Sequence, residues 1–316
     1  MNAPSDLANI QAATTVTLMR ARPFLGTIVE IAATGVDAAK VLGAIGQAFA
    51  EVETVHRLMS YHDENSDVSR INREAYADEV QVDAHTYRVL RAARLMAEAS
   101  NGVFDITIAP QLARMGFLPI CANGQTIPPR GNWRDIVLLP DNHVRLACSL
   151  SLDLSGIAKG YAVDLAINAL ADAGMTAARV NAGGDLRMFG NAVQQISVRA
   201  PNVHTQLISL VELSNGAAAT SAGYYSERLH QGRMVTPIIH PHSKTACESG
   251  LSVTVLAKGC MTADALTKVV YANPRGATSV LQSYKARALI VEHDAVSGTC
   301  HIFDSQQAEK RWQYGK

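Results

Sequence analysis

Charge of one sign is not in excess in this sequence, and long apolar runs are missing. Lys and Arg together number 28, as do Asp and Glu, so the formal net charge is zero. This balance provides no overall basic field for nucleic acid or for an anionic membrane surface. No run of 18 apolar residues occurs. We therefore expect neither a nucleic-acid partner nor a membrane span.

A secretory signal and a regular cysteine pattern are also lacking. The first residues, MNAPSDLANIQAATTVTLMR, have no basic region followed by an apolar region, and they hold no cysteine for lipid attachment. The cysteines are scattered and form no CxxC pair: Cys121, Cys148, Cys247, Cys260 and Cys300. This pattern favours buried free thiols in a reducing compartment. We therefore expect a cytoplasmic protein, with residues 1–17 as a flexible tail.

What remains is an ordinary globular composition. Of the 316 residues, 48% are apolar and 18% are charged, which is enough to build a substantial core. Helical and β-type periodicities alternate along the chain, without an internal repeat or a low-complexity linker. We predict an α/β protein of mixed α+β character, with mixed sheets and packed helices, in a single domain over residues 18–316.

The periodicity predicts individual elements. Helices are expected at 36–59, 86–99 (with Thr86 as N-cap), 156–173 and 262–271 (with Thr262 as N-cap). Strands are expected at 24–33, twice within 136–154 (the second at 144–154), and at 178–181, 196–199, 208–213, 251–257, 288–291 and 300–303. Two segments, the polar stretch 60–72 and the Gly/Pro-containing stretch 121–133, are predicted to be loops.

The segment DLSGIAKGYAVD (153–164) is the most informative for chemistry. A strand ends at Leu154, and Ser155 and Gly156 turn the chain into a helix. A helix N-terminus presents free N–H groups and a partial positive charge, and Lys159 adds a full charge in the first turn. This combination suits a phosphate or a pyrophosphate. A simple strand–helix corner with a surface lysine would have the same sequence.

Three further segments allow both a binding and a purely structural interpretation. In NAGGD (181–185), two glycines permit either close approach to a ligand or a tight turn. In TADALTK (262–268), Asp264 would lie in the first helical turn, where it could bind a cation such as Mg²⁺ or stabilise its own helix. In ATSAGYYSER (219–228), hydroxyls and tyrosines could contact an aromatic ligand or belong to the core.

Taken in order, these segments resemble the ApbE family of FAD:protein FMN transferases. The resemblance runs from about Phe24 to Tyr271. It includes LGTIVEI, MSYHDENSDVSRIN, FDITIAP, DLSGIAKGYAVD, NAGGDLRMFG, ISVRAP, ATSAGYY and SVTVLAKGCMTADAL. It implies an ApbE-like flavin-binding fold that binds FAD and transfers FMN to a Thr or Ser hydroxyl of an acceptor flavoprotein in a redox complex, with Mg²⁺ aiding pyrophosphate cleavage.

The resemblance also implies roles for particular residues. The FAD-binding set would be Ser60, Tyr61, Asp153, Gly156, Ala158, Lys159, Gly183, Gly184, Asp185, Thr220, Ser221 and Tyr224. The metal ligands would be the Ala158 carbonyl, Asp264 and Thr267. The catalytic candidates are Asp264, His240 and Lys268.

Two departures from the family pattern affect the chemistry. Where the family has a histidine-led HIIDPRTG segment, this chain has PIIHPHSK (237–244), so Pro237 takes the position of a histidine. His240 or His242 could then serve as the acid or base. The metal helix has Lys268 four residues after Asp264, on the same helix face. An ammonium group cannot ligate a metal, so we predict weak or absent Mg²⁺ binding there.

Lys268 allows two interpretations. It could occupy the position of the cation, neutralising Asp264 and contacting phosphate, or the pair could be a helix salt bridge in a site that has lost its function. Three activities follow from these alternatives: an FMN transferase, a non-catalytic flavin-binding or flavin-delivery protein, and an FAD pyrophosphatase that uses water as acceptor.

Overall fold

A computed structural model of the chain describes residues 15–119, 131–201, 203–223, 226–240, 242–248, 250–294, 299–306 and 312–314. Its helices are α1 (Ala38–Met59), α2 (Asp67–Glu74), α3 (Ala84–Ala99), α4 (Ala109–Arg114), α5 (Ala158–Asp172), α6 (Cys260–Ala272) and α7 (Thr278–Ser283). Short 3-10 turns lie at Ile106–Ile108, Trp133–Asp135 and Pro140–Asn142. Among these described helices, none combines the length and apolarity that crossing a membrane requires.

The strands are distributed along the whole chain. They are β1 (Val16–Phe24), β2 (Thr27–Gly35), β3 (Val80–Gln81), β4 (Ile136–Leu139), β5 (His143–Leu146), β6 (Ala177–Ala182), β7 (Asp185–Phe189), β8 (Gln194–Ala200), β9 (Val203–Leu213), β10 (Gly216–Ala222), β11 (Arg228–His230), β12 (Arg233–Val235), β13 (Ile239–His240), β14 (Thr245–Ala246), β15 (Leu251–Ala257), β16 (Arg287–Asp294), β17 (Thr299–Asp304) and β18 (Trp312–Tyr314). This mixture of helices and strands confirms the predicted α/β class.

Nine of these strands form one large sheet, in the order β1-β2-β6-β7-β10-β15-β16-β17-β18. The recorded pairs of this sheet are all antiparallel. Three neighbouring helices pack on it, with α1 against β1 and β2, α5 against β6 and β7, and α6 against β10 and β15. The core therefore lies between one long antiparallel sheet and this helix layer.

Helix α1 follows the periodicity read from the sequence. The apolar residues spaced three and four apart are buried: Val41, Ile45, Phe49, Val52, Val55 and Met59. Asp37 caps the helix, because its side chain accepts a hydrogen bond from the Lys40 N–H at 2.7 Å. The prediction of this helix is confirmed.

The first predicted strand, 24–33, is two strands rather than one. Leu25 and Gly26 have φ angles of 56° and 71°, which reverses the chain between β1 and β2. Strand β1 already begins at Val16, so the last two residues of the predicted tail are ordered. Residues 1–14 of that tail lie outside the described residues.

The predicted exposed loop 60–72 contains helix α2. Ser66 caps it by accepting a hydrogen bond from the Ser69 N–H at 3.1 Å, and Val68 and Ile71 are buried three residues apart. The loop prediction was wrong here because two apolar residues are too few to reveal a helical period against a polar background.

Helix α3 begins earlier than predicted. Its N-cap is Asp83, whose carboxylate accepts from the His85 N–H at 2.7 Å. Thr86 lies inside the helix and is fully buried, and its hydroxyl donates to Asp67 at 2.8 Å. Asp67 lies on another helix, so only the tertiary structure could show why this threonine is present.

The second strand predicted within 136–154 is shorter than expected, because β5 ends at Leu146. Beyond it, Leu150, Leu152 and Leu154 are buried without strand pairing. The Asn72 side chain bonds both the N–H and the carbonyl of Leu152, at 2.7 and 3.0 Å. A single side-chain amide therefore substitutes there for a neighbouring strand.

The described cysteines are unpaired. Cys260 and Cys300 are buried, whereas Cys148 and Cys247 are half-buried. Cys121 and residues 121–130 of the predicted loop lie outside the described residues.

Candidate active site

A cavity of about 940 Å³ opens where several predicted motifs converge. Its volume is at the upper end of the range typical of small-molecule sites. Residues from seven parts of the chain line it, among them Phe104, Asp105, Asp153, Gly156, Lys159, Arg179, Gly183, Gly184, Gln194, Arg199, Thr220, Ser221, Pro237 and Lys268. The cavity therefore brings together segments that are up to 164 residues apart, from Phe104 to Lys268.

The start of α5 forms one wall. Asp153 ends the preceding segment, and its carboxylate accepts hydrogen bonds from the Ser155 N–H at 3.1 Å and the Ser155 hydroxyl at 2.5 Å. This turn directs the chain into α5, which places Lys159 in the first helical turn as predicted. Gly156 of that turn and Lys159 both line the cavity, whereas the N–H groups of Ile157, Ala158 and Gly160 bond within the protein, to the Leu154 carbonyl and to Asp264.

Helices α5 and α6 approach each other closely at Gly160. A Cβ added there would lie 2.6 Å from the Cys260 carbonyl carbon and 2.8 Å from the Met261 Cα. Only glycine permits this approach, and it lets the Gly160 N–H donate to an Asp264 carboxylate oxygen at 3.1 Å. The packing of the two helices therefore also positions the candidate catalytic carboxylate.

Helix α6 is capped from outside its own sequence. It begins at Cys260, two residues before the predicted cap Thr262, and no side chain of its own caps it. Asp164 on α5 accepts from the Cys260 and Met261 N–H groups at 2.8 and 3.0 Å. The prediction of Thr262 as N-cap is wrong, because the Asp164 carboxylate of the neighbouring helix caps α6 instead.

Asp264 consequently lies in the second turn of α6, and it is fully buried. The idea of an acid stabilising its own helix terminus is therefore wrong. Lys268 pairs with one carboxylate oxygen, and its ammonium also donates to the Asp264 carbonyl at 3.2 Å. The prediction that Lys268 lies beside Asp264 is confirmed.

Thr267 is engaged within the protein. Its hydroxyl donates to the Asp264 carbonyl at 2.7 Å and lies 2.7 Å from the Ser221 hydroxyl on β10. These two bonds fix β10 against α6 beside the cavity. Its oxygen thus already has two protein partners.

A second lysine–aspartate pair lies beside the first. Lys159 of α5 pairs with Asp185, which follows the glycine turn and is 1% exposed. Two buried carboxylates are thereby paired with two lysines that line the cavity. A buried carboxylate needs such a partner, because the loss of its hydration would otherwise be uncompensated.

Burial and the neighbouring charges shift the pKa values of these paired groups. Burial, together with the negative charge of Asp264, raises the pKa of Asp185 to about 6. Burial alone would also raise the pKa of Asp264, but Lys159 and Lys268 outweigh it and hold that pKa below its usual value. Burial would lower the pKa of Lys159, yet Asp185 and Asp264 outweigh it and raise that pKa.

The NAGGD turn also lines the cavity, and its Asp185 is the partner of Lys159. Gly183 and Gly184 have φ angles of 60° and 100°, and the Gly184 N–H donates to the Asn181 side chain at 3.0 Å. A Cβ at Gly183 would lie 2.6 Å from the Thr27 hydroxyl. The segment is thus a tight turn that also forms part of the cavity wall.

Only some of the remaining predicted FAD-binding residues line the cavity. Thr220 and Ser221 line the cavity from β10, whereas Tyr224 lies outside the described residues. Ser60 and Tyr61, at the end of α1, are not among the cavity-lining residues. Their carbonyls instead accept from the hydroxyls of Ser66 and Ser69, at 2.6 and 3.5 Å.

Pro237 lines the cavity, but His240 does not. The His240 Nδ1 accepts from the Ser243 N–H at 3.3 Å, within the turn between β13 and β14. The His240 ring lies 5.6 Å from the ring of His242, measured between centroids. The structure thus brings Asp264 and Lys268 together and leaves the third catalytic candidate apart from them.

Some cavity residues were not predicted as site residues. Asp105 is buried and accepts from Thr107, and burial raises its pKa. It belongs to FDITIAP, so the motif itself was a signal. Arg179 on β6 bonds the Gln194 side chain at 2.9 Å, and no sequence pattern distinguished it from other strand residues.

The residues present do not fit a divalent cation. Mg²⁺ requires about six oxygen ligands in octahedral geometry. Of the oxygens implied as ligands, those of Asp264 pair with Lys268 and the Gly160 N–H, and the Thr267 hydroxyl has two partners. Ala158 begins α5, where carbonyls point along the helix axis. Among the described residues, no group of three His, Cys, Asp or Glu could hold a metal.

Comparison with known proteins agrees with the resemblance read from the sequence. The chain is 28% identical to the FAD:protein FMN transferase of Vibrio cholerae over 229 residues, covering 68% of this chain and 69% of that one. It is 27% identical to the enzyme of the same name from Haemophilus influenzae, covering 69% of each.

Solved structures agree as well. The ApbE protein of Thermotoga maritima matches with a TM-score of 0.78 and 26% identity, covering 90% of this chain and 96% of that one. The flavin transferase ApbE of Vibrio cholerae has the same fold, with a TM-score of 0.77 and 23% identity over 92% of this chain and 97% of that one. The sequence profile of the ApbE family matches residues 25–290, and the chain belongs to that family.

Proposed function

We propose that this protein transfers FMN from FAD to a Thr or Ser hydroxyl of an acceptor flavoprotein and releases AMP. In this reaction the acceptor oxygen bonds to the FMN phosphorus. The bond from that phosphorus to the oxygen shared with AMP breaks, AMP leaves with the electron pair, and the hydroxyl proton is released. Family membership and the relatives' names support this activity.

One observation carries the proposal. Lys159 of α5 and Lys268 of α6 line the same cavity, and Gly156 at the turn into α5 lines it as well. Two ammonium groups beside one cavity form a site for the two negative charges of a pyrophosphate. In this arrangement Gly156, Ala158 and Lys159 lie beside the phosphates.

The remaining walls suit the other parts of FAD. The turn at Gly183 and Gly184 exposes backbone to the nucleotide, and Asp185 holds Lys159 in place from behind it. Thr220 and Ser221 offer hydroxyls from β10. Ser60, Tyr61 and Tyr224 stay predictions as FAD contacts.

The hydroxyl proton needs an acceptor, and Pro237 cannot provide one. Asp153 is a buried carboxylate that lines the cavity, and burial raises its pKa, which makes it a stronger base than an exposed aspartate. His240 would have to leave its turn to reach the cavity. We therefore assign proton removal to Asp153, with His240 as the alternative that a variant can test.

Compartment and acceptor complete the proposal. Four unpaired cysteines fit a reducing compartment, which supports a cytoplasmic location. The resemblance to the family implies that the acceptor is a flavoprotein subunit of a redox complex. We assign no place to Mg²⁺, because Lys268 already takes the Asp264 carboxylate.

The test mixes the protein with FAD and a threonine-containing acceptor, and follows both AMP release and flavin fluorescence on the acceptor. A transferase gives AMP and labelled acceptor in equal amounts. AMP without label would show a pyrophosphatase, and bound FAD without AMP would show a carrier, and either result would refute the proposal. Lys159→Met should abolish labelling, whereas Lys40→Met, at an exposed position on α1, should leave it unchanged.

Within the same assay, Asp153→Asn and His240→Ala distinguish the two bases. Loss of labelling with retained FAD binding is expected for Asp153→Asn only. If His240→Ala alone lost labelling, the assignment of Asp153 would be wrong.

A further inference from the structure

The ammonium group of Lys268 lies at the boundary between a buried acid and the cavity. It contacts a carboxylate oxygen and the carbonyl of Asp264, while the lysine side chain is 24% exposed and lines the cavity. A Cβ on Gly156 would lie 3.5 Å from the Lys268 Cε, so the lysine also packs against the turn that enters α5. This one cation faces a fully buried acid on one side and the candidate phosphate site on the other.

The pair is not an ordinary helix salt bridge. Exposed pairs at this spacing contribute only a few tenths of a kcal/mol, since water screens both charges. Asp264, in contrast, has no exposed surface. Without Lys268 a buried carboxylate would lose its nearest cation, which is strongly unfavourable.

Every oxygen of Asp264 already has a hydrogen-bonding partner within the protein. One carboxylate oxygen pairs with Lys268, the other accepts from the Gly160 N–H, and the Thr267 hydroxyl takes the carbonyl. A free divalent cation would have to displace an ammonium that is tethered four residues away on the same helix. Such a tether keeps the local concentration of the positive charge high without any metal in solution.

From this arrangement we infer that Lys268 supplies the positive charge that a divalent cation would provide, so that FAD binding and FMN transfer proceed without added metal. The inference rests on the proposed function for its transfer step, but its binding step stands alone. The ammonium neutralises Asp264 and donates its remaining hydrogen toward the pyrophosphate. Its chemistry differs from that of a metal, because it offers hydrogen bonds rather than open coordination positions.

The first experiment titrates the full-length protein with FAD by calorimetry, with excess EDTA or with MgCl₂. The dissociation constant should agree within about twofold in the two buffers, the ordinary scatter of such values. A titration with Mn²⁺ alone, followed by its EPR signal, should give the same result for the wild type and for Asp264→Asn, because Asp264 contributes to no Mn²⁺ site. FAD binding that requires MgCl₂, or a Mn²⁺ site that Asp264→Asn removes, would overturn the inference.

The second experiment exchanges the tethered cation for a free one. Lys268→Thr should weaken FAD binding in EDTA by roughly tenfold to a hundredfold, the loss expected for a charged hydrogen bond. MgCl₂ should restore much of that binding, because the shorter side chain leaves room beside Asp264. Lys258→Thr, at an exposed position before the same helix, is the matched control and should behave like the wild type. Unchanged FAD binding by Lys268→Thr in EDTA would also overturn the inference.

Folding defects are separated by two further variants. Lys268→Arg keeps the charge and should retain metal-independent binding. The double change Asp264→Asn and Lys268→Met removes both charges and avoids an unpaired buried acid, and it should fold but bind FAD weakly in either buffer. Tight binding by this double variant would contradict the role of Lys268.

The two proposals fail in different ways. Metal-independent FAD binding without AMP release would refute the transferase and leave the assignment of Lys268 intact. Transfer that requires Mg²⁺ would leave the transferase intact and refute the assignment.

Discussion

The contact between α5 and α6 at Gly160 offers the sharpest test of how the site is held together. Gly160→Ala would place a methyl group within 2.6 to 2.8 Å of the Cys260 and Met261 backbone, which cannot move away as a flexible side chain could. The two helices must separate, and the bond from the Gly160 N–H to Asp264 lengthens. The higher helix propensity of alanine stabilises the fold by about 1 kcal/mol. Overpacking destabilises it by about 1–3 kcal/mol, and the strained hydrogen bond to the carboxylate by about 1.5–3 kcal/mol more.

The balance predicts a net loss of about 1.5–5 kcal/mol in the free energy of unfolding. Urea denaturation followed by circular dichroism measures it, and calorimetry with FAD should show weaker binding by the same variant. The control is Gly46→Ala on α1, where an added Cβ meets nothing within 4 Å. That variant should be more stable than the wild type by up to about 1 kcal/mol. If Gly160→Ala were as stable as Gly46→Ala, the close packing of the helices would not be what positions Asp264.

Two other residues give quantitative tests. Burial raises the pKa of Asp185 to about 6 in the folded state, compared with 3.8 in the unfolded chain. Protonation of Asp185 therefore stabilises the fold fully below about pH 3.8, and this stabilisation is lost as the pH rises through about 6. Between pH 4 and pH 7 the stability of the wild type relative to Asp185→Asn should therefore fall by about 2 kcal/mol, and parallel stability curves would refute the raised pKa. Asp164→Ala removes the cap of α6 and should cost about 2 kcal/mol in urea denaturation, with faster hydrogen exchange at the Cys260 and Met261 amides. Unchanged exchange at those two amides would show that the cap does not stabilise the first turn.

Several parts of the fold and site could be predicted from sequence because they depend on local spacing. The apolar period of α1 set its buried face, and the glycines at 183 and 184 marked a turn with positive φ angles. The neighbouring positions of Asp264 and Lys268 follow from helical geometry alone. In each case the interacting groups lie within a few residues of one another.

Helix boundaries were less predictable, since their caps come from distant parts of the chain. Thr86 and Thr262 have the chemistry of N-caps, but Asp83 caps α3 and Asp164 of α5 caps α6. The sequence pattern could not show that a carboxylate 96 residues away completes the first turn of a helix.

The sequence by itself determined the family, the order of the motifs and the positive charge at two helix positions. Only the tertiary structure decided that Asp264 is wholly buried, that Lys159 pairs with Asp185 and that His240 lies outside the cavity lining. The physical reason is that burial and pairing depend on which surfaces meet when α5, α6 and the sheet pack together. A charge therefore acquires its role from neighbours that the linear sequence does not place beside it.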